Sequence, residues 1–362
     1  MPNAAVIQVA KETSTFNARN QIRNKFIRDL ASLPGPHVSF TNMIDSDTPS
    51  LHFQWIADYV LGEGVEKSSN EFLVGCTQCR PDMGGAKGCE YTQKCGCLEF
   101  AAPDGSEQGQ SRMSDEQKAV FERWADGEDV DTSTLPKRFP YISTTGCLQS
   151  FYLNSRYVIY ECNYKCNCGP SCKTRVVQHG RKVKLEIFKT KKRGFGLRCL
   201  EPLKRGQFID KYLGELITDA EADRREAAAE VGRASYLFWL DKHMVNDDEP
   251  GLHQKDCYVA DGEAMGGPTR FINHSCDPNV RLFTVSYNKY DNQVYDLAFF
   301  ALYDIPAGEE LTFDYVDPEP DEDVEIAAEN QRLKHEQMKA ESRESVVCLC
   351  DSDNCRGIMW DN

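Results

Sequence analysis

The stretch RFINHSCDPN, residues 270–279, sets Asn273, His274 and Cys276 within four positions, just ahead of Pro278. An amide, an imidazole and a thiol this close together serve one of two ends. They cap the turn they stand in, or they are shared between a metal and a cofactor. The rest of the chain decides between these readings.

The chain has 362 residues, of which 40% are hydrophobic, enough for one large domain or two smaller ones with a real core. It has no run of 18 apolar residues, so no membrane span is expected. The first twenty residues lack a basic start followed by an apolar run, so no signal peptide is expected either. Without export, disulfides are disfavoured, and the sixteen cysteines need another explanation. A formal charge of −15 argues against generic nucleic-acid binding, no direct sequence-specific binding is expected, and the charge suits a basic polypeptide partner, although solubility alone also accounts for it.

The cysteines fall into groups. Cys76, Cys79, Cys89, Cys95 and Cys97 form the first, and Cys162, Cys166, Cys168 and Cys172 the second. Three four-coordinate zincs hold twelve ligand positions, and these nine cysteines fill them if three of the nine bridge two metals. The competing count is two ordinary zinc sites and one free thiol. An all-thiolate site has no open position, so such zinc is structural and supplies folding free energy to loop-rich segments. The last group, Cys348, Cys350 and Cys355, is one ligand short, and Cys276 of the opening stretch is the natural fourth donor. Cys147, Cys199 and Cys257 are left as ordinary thiols.

Around these groups the chain divides as follows. Residues 1–70 carry one helical period, Ile22, Phe26, Leu30 and Leu33, stopped by Pro-Gly-Pro at 34–36 and locally basic. Residues 71–180 hold both large cysteine groups, with a polar stretch at 101–135 that reads as a mobile insertion. From 181 to 317 short β-like runs alternate with turns. One helix is signed there: Thr218 caps it, Glu221 completes a capping box and Gly232 ends it. Residues 318–345 read as a flexible charged tether, and 346–362 as a terminal zinc segment.

Four motifs now stand in order: RGFG at 193–196, YLGE at 212–215, RFINHSCDPN, and ELTFDY at 310–315. Together they resemble a SET domain, with the nine-cysteine segment similar to a pre-SET region and CLCDSDNCRG similar to a post-SET region. The whole resembles a fungal histone H3 lysine-9 methyltransferase of the Su(var)3-9 type. The resemblance implies a mainly β (α+β) fold in which the NHSC and FDY segments make a knot-like crossing. It implies S-adenosylmethionine as methyl donor, the histone H3 N-terminal tail as substrate, chromatin-bound recruiting proteins, and a nuclear role in heterochromatin formation and silencing. The chain departs from the family in three respects. The first cysteine pair is spaced C-x-x-C, Phe195 stands where a Trp is usual, and the insertion and tether are long.

By the same resemblance, Tyr315 faces the reacting amine and Tyr212 lines the channel leading to it. Arg193, Gly194, Phe195, Tyr236, Arg270, Asn273 and His274 are expected to contact the cofactor, with Trp360 closing over it or over the channel. Arg270 has an equal alternative as a structural ion-pair partner. Phe238 and Asp241 are assigned to the substrate, with the acidic run at 246–249. Phe313, two positions before Tyr315, is expected to set how many methyl groups are added. Two rivals remain. One is a methyltransferase for another lysine, whose relatives tend to carry seven cysteines ahead of the SET domain. The other is a zinc-stapled binding module without catalysis, which the intact Tyr212, Asn273 and Tyr315 oppose.

Overall fold

The computed structural model of the chain describes residues 8–9, 11–80, 89, 95–128, 130–229, 235–245, 249–316 and 345–361. Short strands dominate it, and no described helix is long and apolar enough to cross a membrane. The main sheet has five strands in the order Val38–Thr41, Leu185–Lys189, Phe195–Cys199, Glu310–Phe313 and Asn273–His274. The last pair is parallel, with Asn273 opposite Thr312 and His274 opposite Phe313. This pairing draws the NHSC and FDY segments together, as the family resemblance implied.

A second sheet runs Val60–Leu61, Glu215–Thr218, Tyr258–Asp261, Leu237–Trp239. A third runs Ile159–Tyr160, Val280–Ser286, Asp296–Ala301, Phe208–Tyr212. Strand Asp296–Ala301 is buried at every position, because its alternating faces serve two cores. Leu297, Phe299 and Ala301 enter the core that contains Phe313. Ala298 and Phe300 enter the other, with Tyr141, Tyr152 and Phe208.

The described part of residues 1–70, which carried no family motif, is woven into this framework. Helix Thr15–Ala31 is capped by Ser14, whose side chain accepts from the Asn17 N–H. It buries only Phe26 and Leu30; Ile22, expected on the same face, is 41% exposed. The helix meets the body along its second half, where Arg23 lies over the Phe40 ring and Phe26 packs edge-on against Phe40 and Trp55. The Pro-Gly-Pro stop is anchored by Arg181, which donates to the carbonyls of Pro34 and Pro36 and pairs with Asp210. Val38–Thr41 then adds a parallel edge to Leu185–Lys189.

Two local expectations differ from what is seen. Residues 101–135 carry helices Glu107–Gln110 and Asp115–Ala125, the second opened by a full capping box between Ser114 and Gln117. Trp124 stacks on Tyr157 at 4.2 Å, which ties that helix to the body. The polar composition hid these contacts. Helix Asp219–Ala228 is capped by Thr218 as expected, but the Glu221 carboxylate turns to Arg224 and Arg225 rather than closing a box. Gly232 lies outside the described residues, as do residues 318–344 of the tether.

Candidate active site and metal centres

The RGFG stretch makes a tight turn into strand Phe195–Cys199. Thr190 closes it: its N–H donates to Gly194 O and its Oγ1 accepts from the Arg193 N–H, both at 2.9 Å. Gly194 has φ +68°, a left-handed conformation that favours glycine, and a Cβ built there would meet nothing within 4 Å. Gly196 is needed for a different reason, since a Cβ there would come within 2.7 Å of Glu310 Oε1. Glu310 organises the turn. Its Oε2 lies 2.7 Å from Arg193 Nη2, and its Oε1 accepts from Asn273 Nδ2 at 2.8 Å. Asn273 also donates to Phe195 O, and Arg193 to His274 O. Three motifs thus close on one carboxylate that the sequence reading did not single out. Its only cue was its place at the head of ELTFDY; the partner Arg193 is far off along the chain.

Beyond the turn stands a chain of aromatic rings. Tyr212 lies 4.6 Å from Phe238, Phe238 lies 5.9 Å from Phe313, and Phe313 lies 4.6 Å from Tyr315, centroid to centroid. Phe299 backs Phe313 at 5.0 Å. Tyr212 Oη donates to Tyr236 O at 2.7 Å, and Tyr315 Oη to Ile272 O at 2.8 Å. Burial pushes both phenols above their ordinary range, so they stay protonated and serve as fixed hydrogen-bonding groups. Each hydroxyl donates to a backbone carbonyl, which fixes the direction of its O–H. Arg270 stacks on aromatic rings. It lies over the rings of Phe53 and Tyr236, at 4.3 and 4.5 Å, and donates to Gly262 O. Phe53 comes from the N-terminal segment and was not foreseen.

The nine cysteines gather in one buried group. Cys76, Cys79, Cys89 and Cys95 form one tetrad, Cys89, Cys162, Cys168 and Cys172 a second, and Cys76, Cys97 and Cys166 a triad. Within each set the sulfurs lie within 4.8 Å of one another. Cys162 Sγ stands 3.7 Å from Cys97 Sγ and can complete the triad. Cys76, Cys89 and Cys162 are then the three bridging ligands that the count required. An all-sulfur donor set arranged in fours suits zinc, and it leaves no open position for catalysis. Neighbours support the sulfurs: Thr174 Oγ1 donates to Cys162 Sγ at 2.9 Å, and Arg175 Nη2 lies 3.6 Å from Cys168 Sγ. At the tail, Cys276 joins Cys348, Cys350 and Cys355 in a fourth set. The tail is fastened by Arg356 to Asp314, and by Asp351 to Lys192 at 2.8 Å.

Known proteins share this arrangement. Residues 31–175 match the Pre-SET motif and residues 194–316 the SET domain. The chain is 39% identical to a Fusarium mangiferae protein named histone-lysine N-methyltransferase, H3 lysine-9 specific KMT1, over 89% of this chain and 88% of that one. It is 38% identical to the H3 lysine-9 specific enzyme dim-5 of Neurospora crassa, over 92% and 91%. The chain belongs to the SET-domain histone-lysine methyltransferases. The solved structure of the Neurospora protein DIM-5, a histone lysine methyltransferase, superposes with a TM-score of 0.63 at 39% identity, covering 78% of this chain and 96% of that one. The pre-SET match begins at residue 31, well before the cysteines, in keeping with the sheet contacts of the N-terminal segment.

Within this methyltransferase, the ring and the backbone of His274 meet different neighbours. The His274 ring is buried and turned away from the Arg193 turn. Its Nδ1 accepts from the Tyr315 N–H at 3.1 Å, and its Nε2 lies 3.3 Å from Cys276 Sγ. Only its backbone carbonyl reaches the turn, through Arg193. Burial lowers the imidazole pKa to about 4, so the ring is neutral. Asp241 is exposed. Trp360 pairs through its backbone with Val346, but its side chain lies outside the described residues, as do residues 246–248 of the acidic run.

Proposed function

We propose that this protein transfers methyl groups from S-adenosylmethionine to lysine 9 of histone H3, through to the trimethyl state. The observation that carries the reading is the ring series Tyr212–Phe238–Phe313–Tyr315 standing beside the Arg193–Asn273–Glu310 turn, in a chain so close to H3 lysine-9 specific relatives. The residues suit that cofactor. The turn leaves open space in front of Gly194, and the two tyrosine hydroxyls with the carbonyls they bond, Ile272 O and Tyr236 O, offer neutral oxygens that suit a sulfonium. When bound, S-adenosylmethionine supplies an electrophilic methyl group.

The chain's own part is to prepare the amine. A free lysine has a pKa of about 10.4, so reaching neutrality at pH 7 costs about 4.6 kcal/mol. A channel of buried rings disfavours the ammonium form and lowers that cost. Hydrogen-bonded to Ile272 O and Tyr236 O, the Tyr315 and Tyr212 hydroxyls are held in place and orient the amine. Their raised pKa values make them orienting groups rather than bases, and the proton leaves to water.

Phe313 governs the number of transfers. It is 5% exposed and framed by Phe238, Phe299 and Tyr315, so the wall it presents is wholly apolar. Each added methyl removes an N–H donor, and an apolar wall tolerates that loss. A dimethylamine can therefore still turn its lone pair outward for a third transfer.

The peptide enters as an added strand. Leu237–Trp239 pairs with Tyr258–Asp261 on one side and ends its sheet among the described residues, which supports docking along its free edge with Phe238 at the channel mouth. Asp241 and Glu249 are exposed nearby in sequence and suit basic flanking side chains, as does the −15 charge. A histone substrate places the work in the nucleus, on chromatin, with recruiting proteins. The test is mass spectrometry of an H3 tail peptide after incubation with enzyme and cofactor, beside the same peptide carrying arginine in place of the target lysine. Mass gains confined to the peptide that keeps the lysine support the reading; equal gains on both overturn the assignment.

A further inference from the structure

The His274 ring touches two things at once, a ligand of the tail metal set and the backbone of Tyr315. Its tautomer follows from geometry. A backbone N–H can only donate, so the Tyr315 N–H at 3.1 Å requires a lone pair on Nδ1. The proton of a neutral ring must then sit on Nε2, which faces Cys276 Sγ at 3.3 Å. Asp314 does not compete for a proton on Nδ1. Its Oδ1 stands 3.6 Å from Nδ1, beyond hydrogen-bond reach, and is engaged by Arg356 and by the Val316 N–H at 3.1 Å. The ring has no freedom to turn, being 3% exposed and set edge-on to Tyr315 at 5.3 Å.

We propose that His274 is a positioning residue that couples the tail zinc site to catalysis: Nε2–H donates to the Cys276 thiolate, while Nδ1 holds the backbone of Tyr315. The metal-bound sulfur thereby fixes the ring, and the ring fixes the tyrosine whose hydroxyl meets the amine. The arrangement also strengthens the metal site, since a thiolate that accepts an N–H is stabilised as an anion. Cys276 therefore does more than tie down the tail; through one imidazole it sets the position of the channel's inner wall. The inference rests on the tail cysteines holding zinc and on Tyr315 acting at the amine.

The test replaces zinc with ¹¹³Cd, which gives a separate signal for each metal site, and labels histidine with ¹⁵N. The expected result is a His274 ring protonated at Nε2, with that proton coupled to the cadmium of the tail site. A ring protonated at Nδ1 overturns the proposal, as does an Nε2 proton without coupling to cadmium. A missing tail cadmium signal defeats the zinc reading beneath it, and the proposal falls with it; a wrong tautomer with all four signals present defeats the proposal alone. Two variants divide the roles. In His274→Asn the side-chain carbonyl can replace the Nδ1 acceptor, but no donor reaches Cys276. Its tail cadmium signal should shift, and its tail metal should bind roughly 10–100-fold more weakly to a competing chelator. In His274→Gln the amide can replace the Nε2 donor but not the acceptor, so metal affinity should hold while kcat falls. Both variants losing metal and kcat in the same proportion would mean that His274 only packs, and would overturn the division.

Discussion

Replacing Glu310 with Gln keeps the shape of the side chain and removes its charge, at the point where three motifs meet. In the native site both carboxylate oxygens accept, one from Arg193 at 2.7 Å and one from Asn273 at 2.8 Å. A Gln has one acceptor and one NH₂, so one of the two donors must face another donor. Arg193 and Glu310 are each 21% exposed, so water relieves only part of the loss. Leaving a buried donor without its acceptor costs about 1–3 kcal/mol. Partial exposure points to the lower half of that range, about 1–2 kcal/mol, or roughly 5- to 30-fold in an equilibrium constant. The loss should fall on cofactor affinity, because Arg193 and Asn273 flank the proposed cofactor turn while the aromatic channel is untouched. Calorimetric titration with S-adenosylhomocysteine measures it, alongside kcat at saturating cofactor. Affinity reduced by that factor with kcat within about threefold of the parent supports the reasoning. Unchanged affinity with a collapsed kcat would refute it, since Glu310 would then be acting on the channel.

Cys276→Ser should lower the zinc content from four per chain to three and abolish turnover, read by elemental analysis and a methylation assay; retention of all four zincs would contradict the tail site. Phe313→Tyr should end the reaction mainly at monomethyllysine with the first transfer largely preserved, and mass spectra still dominated by trimethyllysine at the parent rate would remove Phe313 from product control. Activity under conditions where chemistry limits should climb from pH 7 to pH 9, because the substrate amine titrates upward toward its usual pKa of about 10.4. Tyr212 and Tyr315 are held above their ordinary range and remain protonated there, so they impose no falling limb; a flat profile would contradict this.

Much of the site was legible because its chemistry is local in sequence. Cysteines a few residues apart are read as ligands whatever fold surrounds them, and the count of nine left bridging against two separate sites and a free thiol; the structure places Cys76 and Cys89 each in two of the sets and Cys162 beside a second, as bridging requires. The tyrosines and Asn273 came through motifs. Glu310 escaped because its role depends on Arg193 across a sheet, and pairing at that separation leaves no periodic trace. Phe53 and Trp55 escaped for the same reason: they pack by Arg270 and Phe271 from a segment without a motif. Ile22 shows the opposite failure. Helical spacing gave it the face of Phe26 and Leu30, but the buried positions of that helix lie toward its C-terminal end and leave Ile22 exposed. His274 was read with the cofactor by its company in NHSC, and only coordinates reveal that its ring also meets Cys276 and Tyr315.

The central claim is that transfer takes place in the channel bounded by Tyr212, Phe238, Phe313 and Tyr315. Single-turnover methylation of the H3 tail peptide by Tyr315→Phe, at saturating cofactor, tests it most directly. The variant should bind cofactor within about twofold of the parent and keep four zincs, while its transfer rate falls by about 100-fold or more. A rate within a few fold of the parent, with cofactor and zinc equally intact, would contradict the account.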